Sequence, residues 1–155
     1  MTSLDSLNED FRDVLRLFLT GDVEFLLVGA YALALHGAPR ASGDIDLFVR
    51  PSSQNAAKVH AALVAFGAPL GAQGVSAEDF ATPGVVYQIG LPPRRIDVLT
   101  QISGMSFDEA WATHVTVAFE GKRIPFIGRE AFIRNKEAAG RPKDLADAAR
   151  LKRRS

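Results

Sequence analysis

The sequence contains no cysteine, which excludes disulfides and thiolate metal sites and fits a reducing cytosol. It has no excess of either charge: eighteen Lys and Arg offset eighteen Asp and Glu. Nothing global therefore argues for nucleic acid or a membrane surface as partner. No apolar run reaches the roughly 20 residues of a membrane span. Asp5, Glu9, Asp10 and Asp13 interrupt the first helical stretch, so no signal peptide is expected. Internal repeats, low-complexity tracts and linkers are missing too. What remains is 47% apolar and 23% charged, the balance of a soluble chain that buries a core. The expectation is one cytoplasmic domain spanning residues 1–155.

The zero net charge conceals an uneven distribution. Residues 1–24 hold six acids and two bases, whereas residues 134–155 hold eight bases and three acids. Leu4, Leu7, Phe11, Val14, Leu15 and Phe18 recur at helical spacing, with Ser6 and Glu9 as a capping box and an end before Gly21. Residues 24–28 read as a buried strand, and 44–49 as a second. Ser52 or Ser53 caps a helix running to about Phe66, which Gly67 stops. The stretch 68–84 is rich in Gly, Ala, Ser and Pro. It reads as a long loop with one turn around 77–80, a candidate wall for an acceptor pocket. Hairpins are expected over 85–99 and 115–127, with a helical turn near 107–111 between them. Helices over 128–139 and 142–152 close the chain, with Gly140 as a stop and Pro142 in a first turn. The expected architecture is α/β or α+β: a mixed twisted sheet flanked by helices.

The chemistry concentrates between Val28 and Val49. Gly29 allows a tight turn after the first strand, and residues 31–35 read as a short helix closed by Gly37. Backbone N–H groups at such a helix start suit a phosphate. In Asp44-Ile45-Asp46-Leu47-Phe48-Val49, the period of two puts both aspartates on one side and Ile45, Leu47 and Val49 on the other. Two carboxylates on a rigid strand, beside a glycine turn, make a candidate divalent-metal and nucleotide site. The structural alternative is an Asp-x-Asp turn with no ligand. Arg40 and Ser42 precede the aspartates and suit either triphosphate contacts or a salt bridge and a loop cap. His36, at a helix end, reads as structural.

Val28-Gly29-Ala30, a gap of thirteen residues, then Asp44-Ile45-Asp46-Leu47 resembles the signature of the nucleotidyltransferase superfamily typified by DNA polymerase beta. With His36-Gly37-Ala38-Pro39-Arg40-Ala41-Ser42, it resembles most the bacterial abortive-infection, AbiEii-type, toxin-like nucleotidyltransferases. The resemblance implies transfer of a nucleoside monophosphate from a triphosphate to an acceptor hydroxyl. It implies two magnesium ions, with manganese as the alternative, held by Asp44, Asp46 and a third carboxylate on a neighbouring strand. Asp97, flanked by Ile96 and Val98, matches that third position and would help deprotonate the acceptor. Gly29, Ala30, Arg40 and Ser42 would contact the nucleotide. The family usually has Gly or Ser at the position of Ala30, so no hydroxyl is available there.

Lys136, Arg141, Lys143, Asp144 and Asp147 read, by spacing alone, as a solvated helix pair with a Lys143–Asp147 contact four apart. The resemblance instead implies that Lys136 and Asp144 support nucleotide binding. The acceptor it leaves open: a tRNA or other RNA end, a small molecule or a protein side chain. The basic end, Lys152, Arg153 and Arg154, favours RNA. An antitoxin protein is an implied partner. The competing reading is a catalytically degenerate nucleotide-binding or interaction module of the same fold.

Overall fold

A computed structural model describes Leu4 and residues 7–153. Helix α1 (Glu9–Thr20) starts at Asn8, whose side chain accepts the Phe11 N–H at 2.9 Å. Ser6, the expected cap, lies outside the described residues, as does Arg154. Phe11, Val14, Leu15 and Phe18 form the buried face of α1. Strand β1 (Phe25–Val28) is apolar and buried throughout, as a strand flanked by neighbours on both sides requires. Helix α2 (Gly29–Leu35) begins directly on its last residue, two residues before the periodicity predicts.

Strand β2 (Asp44–Val49) follows, then α3 (Ser53–Phe66). Ser52 caps α3 by accepting the Asn55 N–H, and Gly67 ends it in the left-handed region at φ 103°. Strands β3 (Val86–Ile89) and β4 (Arg95–Leu99) form the first hairpin. Helix α4 (Phe107–Ala112), the hairpin β5 (Val115–Phe119) and β6 (Lys122–Phe126), and helices α5 (Arg129–Ala139) and α6 (Pro142–Arg153) complete the chain.

The strands form one six-stranded sheet in the order β3-β4-β2-β1-β6-β5. β1 runs antiparallel to β2 and parallel to β6, while β2 runs parallel to β4. This is the mixed α/β sheet with flanking helices that the pattern predicts. Ile45, Leu47 and Val49 are fully buried on one side of β2. Phe18 of α1 meets Phe25 of β1 edge to face, with ring centroids 5.3 Å apart. On the aspartate side, Phe107 of α4 covers Phe48 at 5.1 Å. The apolar contacts thus close the far end of β2 and leave its first residues to polar chemistry.

The stretch 68–84 departs from expectation. Its turn is present as a 3₁₀ helix, Ala77–Ala81, but it packs on α3 rather than walling a pocket. Leu70 and Phe80 are fully buried. Phe80 meets Tyr87 edge to face, and Tyr87 donates its hydroxyl to Gln73 at 2.6 Å. Two large apolar side chains gain more by leaving water than a solvated loop would by staying in it.

Candidate active site

Strand register brings the carboxylates together. The period of two places Asp44 and Asp46 on one side of β2, and the parallel pairing with β4 sets Asp46 opposite Asp97. One oxygen from each of Asp44, Asp46 and Asp97 lies within 4.8 Å of the others. Asp97 is buried rather than displayed on a free strand face. Burial, and then the charges of Asp44 and Asp97, push the Asp46 carboxyl up to about 7. Burial and the neighbouring carboxylates thus favour the protonated form of Asp46 even with the Arg95 guanidinium nearby.

The same register sets Arg95 opposite Asp44. Its Nε donates to Asp97 Oδ1 at 3.0 Å, and its Nη2 donates to Asp44 Oδ2 at 2.5 Å and Asp97 Oδ2 at 3.2 Å. The hydrogen bonds that Arg95 donates to Asp97, with that carboxylate's charge, outweigh burial and hold the guanidinium above its ordinary pKa. Sequence reasoning passed over Arg95, although it stands two residues from Asp97 and shares its strand side. Ser42 donates its hydroxyl to Asp44 Oδ1 at 2.7 Å and accepts the Asp44 N–H at 3.2 Å. It fixes the first carboxylate from the loop side.

Gly29 has φ 72°, and a Cβ there would lie 2.0 Å from Asp46 Oδ2. The glycine is required by the neighbouring carboxylate as well as by the turn. Ala30 is buried beside it. His36 lies within hydrogen-bond reach of the Ile127 carbonyl, 2.8 Å from its Nε2, the structural role expected of it.

A cavity of about 670 Å³ opens over the carboxylates. Basic side chains from the loop before β2 (Arg40), α5 (Lys136), the α5–α6 link (Arg141) and α6 (Lys143) form a further part of its wall, with Asp144 among them. Gly29, Ala30, Arg40, Ser42, Asp44, Asp46, Asp97, Lys136 and Asp144 all border it. From the stretch 68–84 only Gly84 does so.

The solvated pairing of α5 and α6 is not what forms. Lys136, Asp144 and Asp147 are buried. Lys136 Nζ lies 3.5 Å from Asp144 Oδ1 and 3.3 Å from Asp147 Oδ2, and Arg40 Nη2 lies 3.3 Å from the same Asp147 oxygen. Asp147 therefore pairs with Arg40 and Lys136 in place of Lys143. Burial alone would raise the pKa of Asp144. A hydrogen bond from Arg141 and the charge of Lys136 outweigh burial and hold it below the ordinary carboxylate range. Sequence spacing singled out Asp147 but gave it Lys143 as partner. Its helical spacing from Asp144 was visible, but its partner Arg40 is remote in the chain.

Residues 15–127 match the family model described as nucleotidyl transferase AbiEii toxin of Type IV toxin–antitoxin systems. The chain belongs to this family. It is accordingly a nucleotidyltransferase by family and a transferase enzyme by class. The AbiEii match includes all three aspartates and ends before α5, so the basic wall from α5 and α6 lies beyond it. Two solved structures share the fold. The lincosamide antibiotic adenylyltransferase LnuA, with lincomycin bound, is 16% identical. The alignment covers 96% of this chain and 98% of that one, with a TM-score of 0.53. A protein of Thermotoga maritima assigned as a nucleotidyltransferase is 14% identical, covering 92% and 88% of the two chains, with a TM-score of 0.52. No curated protein matches. Among the described residues no helix is long and apolar enough to cross a membrane.

Proposed function

We propose that this AbiEii-family enzyme transfers a nucleoside monophosphate from a nucleoside triphosphate to an acceptor hydroxyl and releases pyrophosphate. The observation that carries the reading is the carboxylate cluster of Asp44, Asp46 and Asp97 lining one cavity together with Arg40, Lys136, Arg141 and Lys143. Hard carboxylate oxygens this close together fit magnesium, or manganese, and these three aspartates would hold it, with two ions as the resemblance implies. Bound divalent ions would supply charge neutralisation at the α-phosphate and at the attacking and leaving oxygens.

The chain's own residues do the rest. Arg40 and Lys136 bind triphosphate oxygens, with Asp147 behind both and Asp144 behind Lys136. Backbone at Gly29 and Ala30 lets the phosphates approach. Ser42 orients Asp44. The acceptor oxygen forms a bond to the α-phosphorus, the bond from that phosphorus to the bridging oxygen breaks, and the hydroxyl proton passes to Asp97.

The acceptor reading is an RNA end, supported by the exposed bases Lys152 and Arg153 on the last turn of α6. A small molecule is the alternative, since LnuA is an adenylyltransferase with an antibiotic bound on the same fold. The family's place in Type IV toxin–antitoxin systems supports a cognate antitoxin as partner. The deciding experiment incubates the protein with each α-labelled triphosphate, magnesium and total RNA, with Asp46→Asn as control. Label on RNA supports the full reading. Label on no fraction, for any triphosphate, would favour a degenerate module.

A further inference from the structure

Ser42 and Arg95 between them hold four of the six carboxylate oxygens in the cluster. Ser42 Oγ donates to Asp44 Oδ1 at 2.7 Å, and Arg95 takes Asp44 Oδ2 at 2.5 Å, Asp97 Oδ1 at 3.0 Å and Asp97 Oδ2 at 3.2 Å. A single guanidinium thus covers both oxygens of Asp97 and one of Asp44. Asp46 is the carboxylate that Arg95 leaves outside its fork. A guanidinium does not lose its proton in a protein, so it vacates those oxygens only by moving. It has somewhere to go: the Arg95 side chain is 32% exposed and borders the cavity.

We propose that Arg95 is a built-in cation in the divalent-ion site, and that an ion reaching Asp97 must displace its guanidinium into the cavity. The inference rests on the metal-dependent reading above. It makes Arg95 a positioning residue that couples the two ligands. An ion alone breaks charge-assisted bonds that only water replaces at the guanidinium, so it binds weakly. With a triphosphate in the cavity, the released guanidinium gains phosphate oxygens as new partners. Metal and nucleotide then each tighten the other, as linkage requires.

The test uses the full chain and Mn²⁺ or Mg²⁺ alone as probe, by titration calorimetry at fixed ionic strength. Arg95→Gln should bind Mn²⁺ at least about tenfold tighter than wild type without nucleotide, because a charged competitor has been removed. In the same variant the mutual tightening of metal and triphosphate should shrink. Equal or weaker Mn²⁺ affinity in Arg95→Gln would overturn the inference while leaving the metal-dependent reading in place. An absence of metal binding by both proteins, with and without triphosphate, would remove both. A second measurement needs no variant. In wild type, the Arg95 Nε–H resonance should move as Mg²⁺ saturates the protein; a resonance unchanged at saturation would overturn the displacement.

Discussion

Replacing Asp46 with Asn tests the electrostatics of the cluster at nearly constant volume. In the metal-free protein the Asp46 carboxyl is raised from 3.8 to about 7, first by burial and then by the charges of Asp44 and Asp97. A pKa raised on folding means the folded state holds the proton more tightly than the unfolded chain does. Its contribution to stability is present in full below about 3.8 and is lost as pH rises through about 7. The displacement corresponds to about 4 kcal/mol carried by the ionised form at high pH, as an upper figure. Asn resembles the protonated acid. At pH 8.5 in EDTA the variant should be more stable than wild type by about 2–4 kcal/mol, or on the order of 5–10 °C in Tm for a chain of this size.

The difference should shrink toward zero as pH falls below about 3.8, where wild-type Asp46 becomes protonated in the unfolded as well as the folded state. Urea melts at four or five pH values measure it directly. Magnesium with triphosphate should reverse the order, because ligand binding stabilises by mass action only the protein that holds the ions. Wild type should then gain in Tm and Asp46→Asn should not. A variant that is less stable than wild type by the same amount at every pH would refute the reasoning, since it would show that the Asp46 carboxylate is structural.

Gly29→Ala should displace Asp46 and abolish the Tm rise given by magnesium and triphosphate, because even a methyl would stand 2.0 Å from Asp46 Oδ2 at a φ of 72°. Asp147→Asn should cost about 1–2 kcal/mol in urea melts and raise KM for the triphosphate more than it lowers kcat, because Arg40 loses its counter-charge and Lys136 keeps only Asp144. Phe80→Ala should cost about 3–5 kcal/mol of stability yet leave Mn²⁺ affinity unchanged, since the ring packs beside Tyr87 and does not border the cavity. Replacing Lys152 and Arg153 with Gln should flatten the salt dependence of RNA binding while leaving triphosphate binding intact; an unchanged slope would direct attention to small-molecule acceptors.

Asp44, Asp46 and Asp97 were legible because a strand's period of two is a local property, and Ile45, Leu47, Ile96 and Val98 mark which side is apolar. The same logic covered α3, whose Ser52 and Gly67 ends are caps set by residues within a turn. Sequence order alone does not give the sheet order, since β2 lies between β4 and β1 and β1 pairs in parallel with β6. Partnering of charges failed for a related reason. A lysine and an aspartate four apart on α6 look like a surface pair, yet Asp147 is claimed by Arg40, which arrives from the loop before β2. Likewise 68–84 looked open by composition, although Leu70 and Phe80 in it were large enough to demand burial. Arg95 sits between the two cases. Its side of the strand was readable from its spacing to Asp97, but its grip on Asp44 needed the β2–β4 register. Register is what converts a row of acidic residues into a site with a defined counter-ion. The cation at position 95 therefore belongs to the same cluster as the carboxylates it holds.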